Sequence, residues 1–495
     1  MTIRRVLIAN RGEIAVRIVR ACREAGIESI AVYSDADRDA VHVRAADRAV
    51  RIGPAAPAES YLSISALLEV AARTGADAVH PGYGFLSEQS AFARACEEAG
   101  LIFIGPPADV IERMGSKIGA RALMQRAGVP VVPGETPGDQ SDDGVVAAAR
   151  AVGYPVLVKA SAGGGGKGMR VVRSDDEARE LVPAARRESA AAFGDGTLYV
   201  ERVIERPRHV EIQVFADDHG HAIHLFEREC SIQRRHQKVV EESPSPALTP
   251  ALRARMGAAA VAAARASAYR NAGTIEFLLE GSGGDARFYF LEMNTRLQVE
   301  HPVTEAVTGV DLVHAQLLVA AGAPLPWTQQ SLSTRGHAIE CRIYAEDPEH
   351  GFLPQAGPLL LYREPSGPGI RVDAGVEQGG TVGVHYDPML AKLVVSAETR
   401  TAAIQRLRAA LRHYAVLGIR SNIPFLLRLI DLPAFTAGDL HTGFIDEHRE
   451  ALLTDEAPGI TALAAAALAG ALVQRAEAHA AVVPDPWSQT TGWGR

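Results

Sequence analysis

Residues 155–172 read PVLVKASAGGGGKGMRVV, and this pattern restricts the fold of the chain more than any other stretch. A short apolar run ends at Lys159, a glycine-rich segment follows, and a second extended run begins at Met169. The glycines include a G-x-G-x-x-G match, but the following strand, where a helix is needed, disfavours a dinucleotide-binding fold. Lys167 is followed by Gly168, not by serine or threonine, which excludes a Walker A loop. Two interpretations remain: a lid that folds over phosphates through its backbone N–H groups, and a plain flexible hairpin.

The segments around this stretch predict an α/β protein with several domains. Residues 4–33 read as strand, helix and strand, a β-α-β unit that repeats weakly to about residue 115. A hinge rich in proline and glycine at 130–138 opens the unit that contains the glycine stretch. Further predicted elements are a helix at 114–128, strands at 198–215, 221–227, 274–279 and 288–293, and helices at 251–268, at 402–414 and after Pro458. At 495 residues the chain is too long for one core, and it predicts about three or four structural units.

The composition is typical of a multidomain enzyme. A hydrophobic content of 47% with 22% charged residues excludes wholesale disorder. The net charge of −8 and the lack of a basic, aromatic-rich run predict no nucleic-acid partner. The four cysteines form no C-x-x-C pair, so we expect free thiols in a reducing compartment. No apolar run reaches the about 20 residues that span a bilayer, and none near the N-terminus suits a signal peptide, so we expect a cytoplasmic location without membrane.

Lysine is rare in this chain. Of the 51 basic residues only five are lysine, so 51 − 5 = 46 are arginine. Lysine is a compact charge with a tunable pKa, whereas arginine is a planar fork, so a remaining lysine is expected where the fork fails. Mutational leftovers are the alternative, but the first four, Lys117, Lys159, Lys167 and Lys238, lie inside the motifs described here; the fifth is Lys392.

Residues 292–300, EMNTRLQVE, alternate polar and apolar side chains. In an extended conformation the pleat places five polar side chains on one face, namely Glu292, Asn294, Arg296, Gln298 and Glu300. A solvent-facing edge strand would give the same alternation and stays an alternative. Eight steps of roughly 3.3 Å span about 26 Å, which is longer than one reaction centre. We therefore expect a bend, with the first residues serving one ligand and the last residues another.

The residue types in this region suit a metal-nucleotide site. Glu276 on the preceding predicted strand, with Glu292 and Asn294, supplies the carboxylate and amide oxygens that Mg²⁺ prefers when it bridges nucleotide phosphates. Arg296 can clamp an oxyanion, and Glu300 is then a candidate base. Other polar or cationic groups between the predicted lid and this strand are His209, Gln233, His236 and Lys238. For any one of these residues alone, a structural role is the alternative.

Taken together, these motifs resemble biotin carboxylase, an ATP-grasp enzyme, across roughly residues 4–446. ATP-grasp ligases in general share the glycine lid and the paired acidic metal ligands, whereas the Q-V-E-H-P and R-R-H-Q-K runs point to the carboxylase branch. The matching stretches are IANRGEIAVRIVRA from Ile8, HPGYGFLSE from His80, KASAGGGGKGM from Lys159, ERPRHVEIQV from Glu205, ECSIQRRHQKVVEE from Glu229, EMNTRLQVEHPVTE from Glu292 and YDPMLAKL from Tyr386.

The resemblance implies an N-terminal Rossmann-like domain with a parallel sheet at 1–116, an ATP-grasp domain at 117–330 with a mobile lid at about 133–204, and a C-terminal mixed α/β domain at 331–446. Residues 447–495 resemble the helical connector that leads toward carrier domains in larger acyl-CoA carboxylase α-subunits. The chain is then either a fragment of such a longer protein or a natural short form.

The resemblance also implies residue roles. The ATP site would contain Lys117, Lys159, Gly163, Gly164, Gly165, Gly166, Glu201, Val203, His209, Gln233 and His236. The magnesium or manganese ligands would be Glu276, Glu292 and Asn294. The bicarbonate pocket would contain Lys238, Arg296, Gln298, Val299 and Glu300. Biotin would meet Arg342 at its ureido oxygen, with Tyr83 lining the approach, and the catalytic groups would be Lys238, Arg296, Glu300 and Arg342.

The implied reaction is the ATP-dependent carboxylation of biotin through carboxyphosphate, as part of an acyl-CoA carboxylase. No lysine lies between two methionines, so biotin is expected on a separate carrier domain or protein and not on this chain. The expected partners are that carrier, a second copy of the chain in a homodimer or larger assembly, and a carboxyltransferase subunit. The alternatives are another ATP-grasp carboxylate ligase, the corresponding part of a pyruvate or urea carboxylase, and a catalytically silent scaffold.

Overall fold

The buried strand Arg5–Ile8 lies at the centre of the first of several sheets in the computed structural model, which describes residues 2–161, 169–454 and residue 468. Residues 1–452 form one unit and residues 453–495 a second one. The α-helix predicted after Pro458 lies outside the described residues, as do the glycines at 163–166.

The strands in chain order are β1 Arg5–Ile8, β2 Glu28–Ser34, β3 Arg48–Gly53, β4 Ala78–His80, β5 Ile102–Phe103, β6 Gly134–Glu135, β7 Val156–Ala160, β8 Arg170–Val172, β9 Leu198–Arg202, β10 Arg208–Ala216, β11 Ala222–Arg234, β12 Gln237–Ser243, β13 Asn271–Glu280, β14 Arg287–Asn294, β15 His337–Tyr344, β16 Glu346–Asp347, β17 Leu353–Pro354, β18 Gly357–Pro358, β19 Leu361–Arg363, β20 Ile370–Ala374, β21 Thr381–Val382, β22 Met389–Ala397 and β23 Ala415–Leu417.

The α-helices in chain order are α1 Gly12–Glu24, α2 Val41–Ala45, α3 Ile64–Thr74, α4 Ser90–Glu98, α5 Ala108–Gly115, α6 Lys117–Arg126, α7 Asp142–Val152, α8 Asp175–Phe193, α9 Pro250–Ala266, α10 His301–Thr308, α11 Leu312–Ala320, α12 Arg400–His413, α13 Ile423–Asp431, α14 Pro433–Ala437, α15 Phe444–Glu447 and α16 Arg449–Leu452.

The first sheet is parallel, with strand order β3-β2-β1-β4-β5. The apolar positions of α1 at helical spacing, Ile14, Ile18 and Cys22 among them, are buried against the sheet. The β-α-β unit predicted at 4–33 is confirmed, since β1, α1 and β2 occupy it. A Rossmann-like N-terminal sheet follows from this local pattern, because parallel neighbours need a helical crossover.

The single helix predicted at 114–128 is wrong, because the chain forms α5 and α6 with a break at Ser116. Ser116 has an extended backbone, and its hydroxyl accepts the backbone N–H of Gly119 at 3.2 Å, as an N-cap does. Lys117 is therefore the first residue of a helix and not a mid-helix residue.

A small antiparallel sheet of order β6-β9-β7-β8 follows, with α7 and α8 supplying its core. The strands expected on either side of the glycine stretch are confirmed, since β7 and β8 pair with Val158 opposite Arg170. The single strand predicted at 198–215 is wrong: β9 ends at Arg202 and β10 begins at Arg208 in a different sheet. Residues 203–207 connect the two sheets. The alternation of polar and apolar side chains does not show that the strand is interrupted there.

The largest sheet has eight strands in the order β14-β13-β10-β11-β12-β15-β22-β20, and all its neighbours are antiparallel. It continues across the predicted boundary at residues 330 and 331, because β12 pairs with β15. Glu292 and Asn294 lie on its edge strand β14 and Glu276 on the neighbouring β13, and the fold is mixed α/β as expected.

Within the described ranges, no single helix is both long and apolar enough to cross a membrane. One pair, His301–Thr308 with Leu312–Ala320, meets the length and composition criteria together, with a 98° bend between the two helices.

Candidate functional site

Two glutamates lie opposite each other on neighbouring strands, Glu276 on β13 and Glu292 on β14. Asn294 follows on the same side of β14, and its amide donates to Glu276 Oε1 at 2.9 Å. Burial raises the pKa of Glu292, and the charge of Glu276 raises it further. Among the described residues, no side chain donates a hydrogen bond to Glu292. Two carboxylates and an amide oxygen side by side fit a hard divalent cation between the strands.

Lys238 occupies the centre of the site. Its Nζ lies 2.5 Å from Glu211, 2.7 Å from Glu276 and 2.6 Å from Glu300, so one ammonium contacts three carboxylates. Burial opposes the charge of Lys238, but these carboxylates outweigh it and raise the pKa of the lysine well above its usual value. Lys238 therefore stays protonated and links the candidate metal ligand Glu276 to Glu300.

His209 on β10 is buried beside the same glutamates. Its Nε2 lies 3.1 Å from Glu276 Oε2, and Gln233 lies 2.8 Å from its Nδ1. Although burial disfavours the imidazolium, Glu276 raises the pKa of His209. His236 lies in the tight turn between β11 and β12, where it and Arg235 adopt positive φ values of 66° and 47°. The turn places His236, Gln233 and Lys238 on the wall of one cavity.

The segment after Asn294 is not extended. β14 ends at Asn294, and residues 295–300 form an irregular turn before α10. The edge-strand alternative for the whole segment is therefore wrong, and the predicted bend is confirmed. Arg296 donates to Asn294 Oδ1 at 3.0 Å and to Gln298 Oε1 at 2.7 Å, so the bend brings these side chains together.

Glu300 ends this turn, and its side chain is fully buried between two cations. Lys238 contacts one carboxylate oxygen at 2.6 Å, and Arg342 on β15 contacts the other at 3.0 Å. Burial alone would raise the pKa of Glu300, but Lys238 and Arg342 outweigh it and hold the pKa well below its usual value. Glu300 is therefore ionised before any substrate binds.

Arg342 also donates to Glu241 Oε1 at 2.6 Å. Burial raises the pKa of Glu241 to about 7, although Arg342 opposes this shift. Arg342 is itself 7% exposed and lies on the wall of two neighbouring cavities. Hydrogen bonds to Glu241 and Glu300 therefore fix its guanidinium, while part of the side chain still faces the cavities.

Two more lysines of the site, Lys159 and Lys117, lie on the side of the small sheet. Lys159 on β7 contacts Glu201 on β9 at 2.9 Å, and Arg121 contacts the other oxygen of Glu201 at 2.8 Å. Burial opposes the charge of Lys159, but Glu201 raises its pKa. Lys117 is partly buried, which lowers its pKa, while the charge of Glu292 acts in the opposite direction.

Three cavities share walls along this site. One of about 360 Å³ has apolar walls that include Val132, Leu157, Ile204 and Leu278 and also contains Val203. The next, of about 440 Å³, shares Lys159, His209 and His236 with it and contains the two candidate metal ligands Glu276 and Glu292. A third, of about 550 Å³, shares Arg296, Val299 and Arg342 with the second and is lined by Tyr83.

The structure thus brings together the described residues predicted for the site. Most of them line the 440 Å³ cavity: Lys117, Lys159, His209, Gln233, His236, Lys238, Glu276, Glu292, Asn294, Arg296, Gln298, Val299 and Arg342. Glu201 and Val203 line the apolar cavity, Tyr83 lines the third, and Glu300 lies behind Lys238. The predicted glycines lie outside the described residues.

Sequence reasoning missed a buried layer under Lys238. Arg228 on β11 is fully buried and donates to Glu211 at 2.6 Å and to Gln213 at 2.8 Å. It also contacts Thr304 on α10 and Thr274 on β13. A signal was present, because His209, Glu211 and Gln213 alternate with the apolar Val210, Ile212 and Val214 along the strand. Polar side chains on a fully buried strand indicate a site.

Models of known protein families match successive parts of this chain, from residue 2 to residue 447. Three family models match in succession: the biotin carboxylase N-terminal domain at 2–111, the carbamoyl-phosphate synthase L chain ATP-binding domain at 116–328 and the biotin carboxylase C-terminal domain at 340–447. A biotin carboxylase of Halalkalibacterium halodurans is 55% identical over 445 residues, which cover 90% of this chain and 98% of that protein. The chain belongs to the biotin carboxylase family. The resemblance expected from the sequence is confirmed, and the chain is an ATP-dependent ligase by family.

Other biotin carboxylase relatives have larger assemblies in their names. A pyruvate carboxylase component of Methanothermobacter thermautotrophicus is 53% identical, with 90% of each chain covered. The α component of mouse mitochondrial methylcrotonoyl-CoA carboxylase is 52% identical over 91% of this chain, but the chain spans only 63% of its length.

Solved biotin carboxylase structures have the same fold. The biotin carboxylase domain dimer of Hydrogenobacter thermophilus 2-oxoglutarate carboxylase, in complex with MgADP, ADP and bicarbonate, has a TM-score of 0.88 at 44% identity, with 92% of this chain and all of that chain covered. A Campylobacter jejuni biotin carboxylase in a nucleotide complex has a TM-score of 0.87 at 44% identity, over 90% and 99% of the two chains. The fold class predicted from the sequence is confirmed.

Proposed function

We propose that this chain carboxylates biotin with bicarbonate at the expense of ATP, as the biotin carboxylase component of an acyl-CoA carboxylase. The observation that carries the proposal is the position of Lys238 between Glu276 and Glu300, at 2.7 and 2.6 Å. The Lys238 ammonium therefore contacts both Glu276, a proposed ligand of the metal that binds the phosphates, and Glu300, the proposed base. Phosphoryl transfer depends on charge stabilisation and alignment of this kind.

The nucleotide is proposed to occupy the two cavities that share Lys159 and His209. Val203, Glu201 and the apolar walls of the 360 Å³ cavity would receive the base and ribose. The phosphates would meet Lys117, Lys159 and His236 with the glycines at 163–166, and Gln233 would orient His209. When bound at Glu276, Glu292 and Asn294, Mg²⁺ or Mn²⁺ would neutralise phosphate charge.

Bicarbonate is proposed to bind between Arg296, Gln298, the backbone at Val299 and Lys238. Glu300 takes its proton, and the bicarbonate oxygen forms a bond to the γ-phosphorus while ADP leaves. The resulting carboxyphosphate releases CO₂ and phosphate, and the phosphate removes the ureido N–H proton of biotin. Arg342 stabilises the negative oxygen that forms on the ureido group, and the ureido nitrogen bonds to CO₂. Tyr83 and Arg342 would hold the biotin ring in the 550 Å³ cavity.

The proposed partners are a biotin carrier, a second copy of this chain, and a carboxyltransferase subunit. A dimer is named for the 2-oxoglutarate carboxylase domain, and methylcrotonoyl-CoA carboxylase is named for several relatives. A pyruvate carboxylase component is the second candidate, because a component of such an enzyme matches 90% of this chain. We also propose the domain division 1–116, 117–330 with a lid at 133–204, 331–446 and 447–495. The cytoplasmic location stays a prediction.

The test is ATP cleavage by the purified full chain with bicarbonate, with and without free biotin. We expect cleavage that requires bicarbonate and that free biotin stimulates. An absence of stimulation under saturating bicarbonate would favour another ATP-grasp ligase, and an inert protein that still captures its partner proteins would favour a scaffold. Affinity capture of the native chain with mass spectrometry separates the two carboxylase candidates, because the captured carboxyltransferase differs between them.

A further inference from the structure

Of the four lysines in the described residues, Lys392 on β22 is the one to which the proposed function gives no role. Its side chain is completely buried, which is rare for lysine and requires that every donor find a partner. It lies opposite Arg342 on β15 and opposite Asp373 on β20 in the strand register. Lys392 and Arg342 therefore lie on the same face of the sheet, where Arg342 contacts Glu300.

The first partner of Lys392 is the backbone of residues 295–300, the turn that carries the residues proposed to bind bicarbonate and is called the bicarbonate segment below. Its Nζ donates to the carbonyl oxygen of Val299 at 2.8 Å. Residues 295–300 have left the sheet, so their carbonyl groups need other donors. Arg296 supplies one to Leu297 at 3.2 Å, and His301 lies 2.8 Å from the carbonyl of Gln298. Lys392 fixes the peptide that joins Val299 to Glu300.

The second partner of Lys392 is Glu13 at the start of α1, whose Oε1 lies 3.2 Å from Nζ. The same carboxylate accepts a short hydrogen bond from the Tyr83 hydroxyl. The other oxygen of Glu13 is buried and has no hydrogen-bond partner among the described residues. Asp373 lies farther from Nζ, at 4.0 Å. Lys392 is thus the nearest cation to Glu13 and links it to the bicarbonate segment.

We infer that Lys392 is a positioning residue that holds Val299 on the bicarbonate side and the Glu13–Tyr83 pair on the biotin side with one buried ammonium. The two substrates would then meet at a fixed separation in neighbouring cavities that share Val299 and Arg342. The two contacts of this fully buried cation suit the compact ammonium of lysine better than a planar arginine fork, in a chain where 46 of 51 basic residues are arginine. This inference rests on the proposed function.

The experiment measures KM for ATP, bicarbonate and free biotin in ATP cleavage by the full chain. Lys392→Met should raise KM for both bicarbonate and biotin about tenfold or more, because each loses a group held by a charged hydrogen bond, and should leave KM for ATP unchanged. Lys392→Arg should not restore either value. Glu13→Met and Tyr83→Phe keep the Val299 contact, so each should raise KM for biotin alone, and the double variant should raise it no further.

Arg253→Met is the matched control, because it removes a cation from the buried Glu227 outside the site, at 2.7 Å. It should lower the unfolding temperature without changing any of the three KM values. If Lys392→Met behaves like this control, or raises KM for ATP equally, the inference is wrong. If Lys392→Met does not fold, Lys392→Arg decides in its place: raised KM values for both bicarbonate and biotin with an unchanged KM for ATP support the inference, and wild-type values for either substrate overturn it. A wild-type chain without bicarbonate-dependent cleavage overturns the proposed function instead.

Discussion

Glu300 and Lys238 show how single residues acquire their chemistry from contacts. The Glu300 carboxylate receives one bond from Lys238 and another from Arg342, and it has no exposed surface. These two cations lower its pKa, so the group is charged before any substrate arrives. A base of this kind needs a substrate held close to it, because its own proton affinity is reduced.

Glu300→Gln should lower bicarbonate-dependent ATP cleavage by about 10²-fold or more while ADP still binds, because the amide cannot take the proton of bicarbonate. Steady-state kinetics and calorimetry with ADP give the two quantities. Glu98→Gln on the exposed side of α4 is the control and should leave both unchanged. Unchanged turnover in Glu300→Gln would remove Glu300 from the base role.

At the scale of elements, the hairpin of β13 and β14 places Glu276 opposite Glu292 without help from the rest of the chain. Glu292→Gln should raise the Mg²⁺ concentration for half-maximal activity about tenfold, because one charged oxygen ligand is lost. The Mg²⁺-dependent shift of unfolding temperature in the presence of ADP gives a second readout. Glu280→Gln, farther along the same hairpin, should keep the wild-type requirement, and an unchanged requirement in Glu292→Gln would exclude it as a ligand.

Helix α9 carries a glycine, Gly257, where helix propensity alone would favour alanine by about 1 kcal/mol. A Cβ at this position would lie 2.5 Å from His224 Nε2. The backbone N–H of Phe226 holds that imidazole at 3.3 Å. Gly257→Ala should therefore destabilise the protein by about 1–3 kcal/mol, as overpacking does. Urea unfolding measures this, Gly115→Ala in open space at the end of α5 should cause no loss, and a stabilised Gly257→Ala would contradict the prediction.

At the scale of the whole molecule, three connected cavities lie where the small sheet, the large sheet and the N-terminal sheet meet. The apolar cavity draws on β7 and β9, the central cavity on β12, β13 and β14, and the third on residues 10–14 with 385–387. Arg17 on α1 contacts Glu305 on α10 at 3.0 Å, which ties the N-terminal sheet to the turn that carries Glu300. The arrangement of the three cavities predicts that the nucleotide, bicarbonate and biotin bind side by side in that spatial order, with bicarbonate in the middle.

The stability of the described fold should fall in mild acid. Burial lowers the pKa of His42 to about 4, and the value in an unfolded chain is about 6.5. The unfolded state therefore binds more protons between these values, so stability decreases as the pH falls from 6.5 to 4, by up to about 3 kcal/mol. His42→Leu should flatten this decrease in unfolding experiments across that range. His219→Leu at an exposed position should retain the wild-type slope, and equal slopes in all three proteins would contradict the assignment.

The sequence by itself determined several of the elements and the pairs that are close along the chain. The β-α-β start, the strands flanking the glycines, and Glu276 with Glu292 follow from local alternation and spacing, because these contacts need only one hairpin or one crossover. The need for a bend after Asn294 followed from length alone.

Only the tertiary structure decided which groups meet around Lys238. Its contacts with Glu211, Glu276 and Glu300 join residues separated by 27, 38 and 62 positions. They depend on the strand order β13-β10-β11-β12 and on α10, and a pattern of period two does not specify which strands become neighbours. The same holds for Arg228 and Lys392, whose buried charges are tolerated only because distant segments supply their partners.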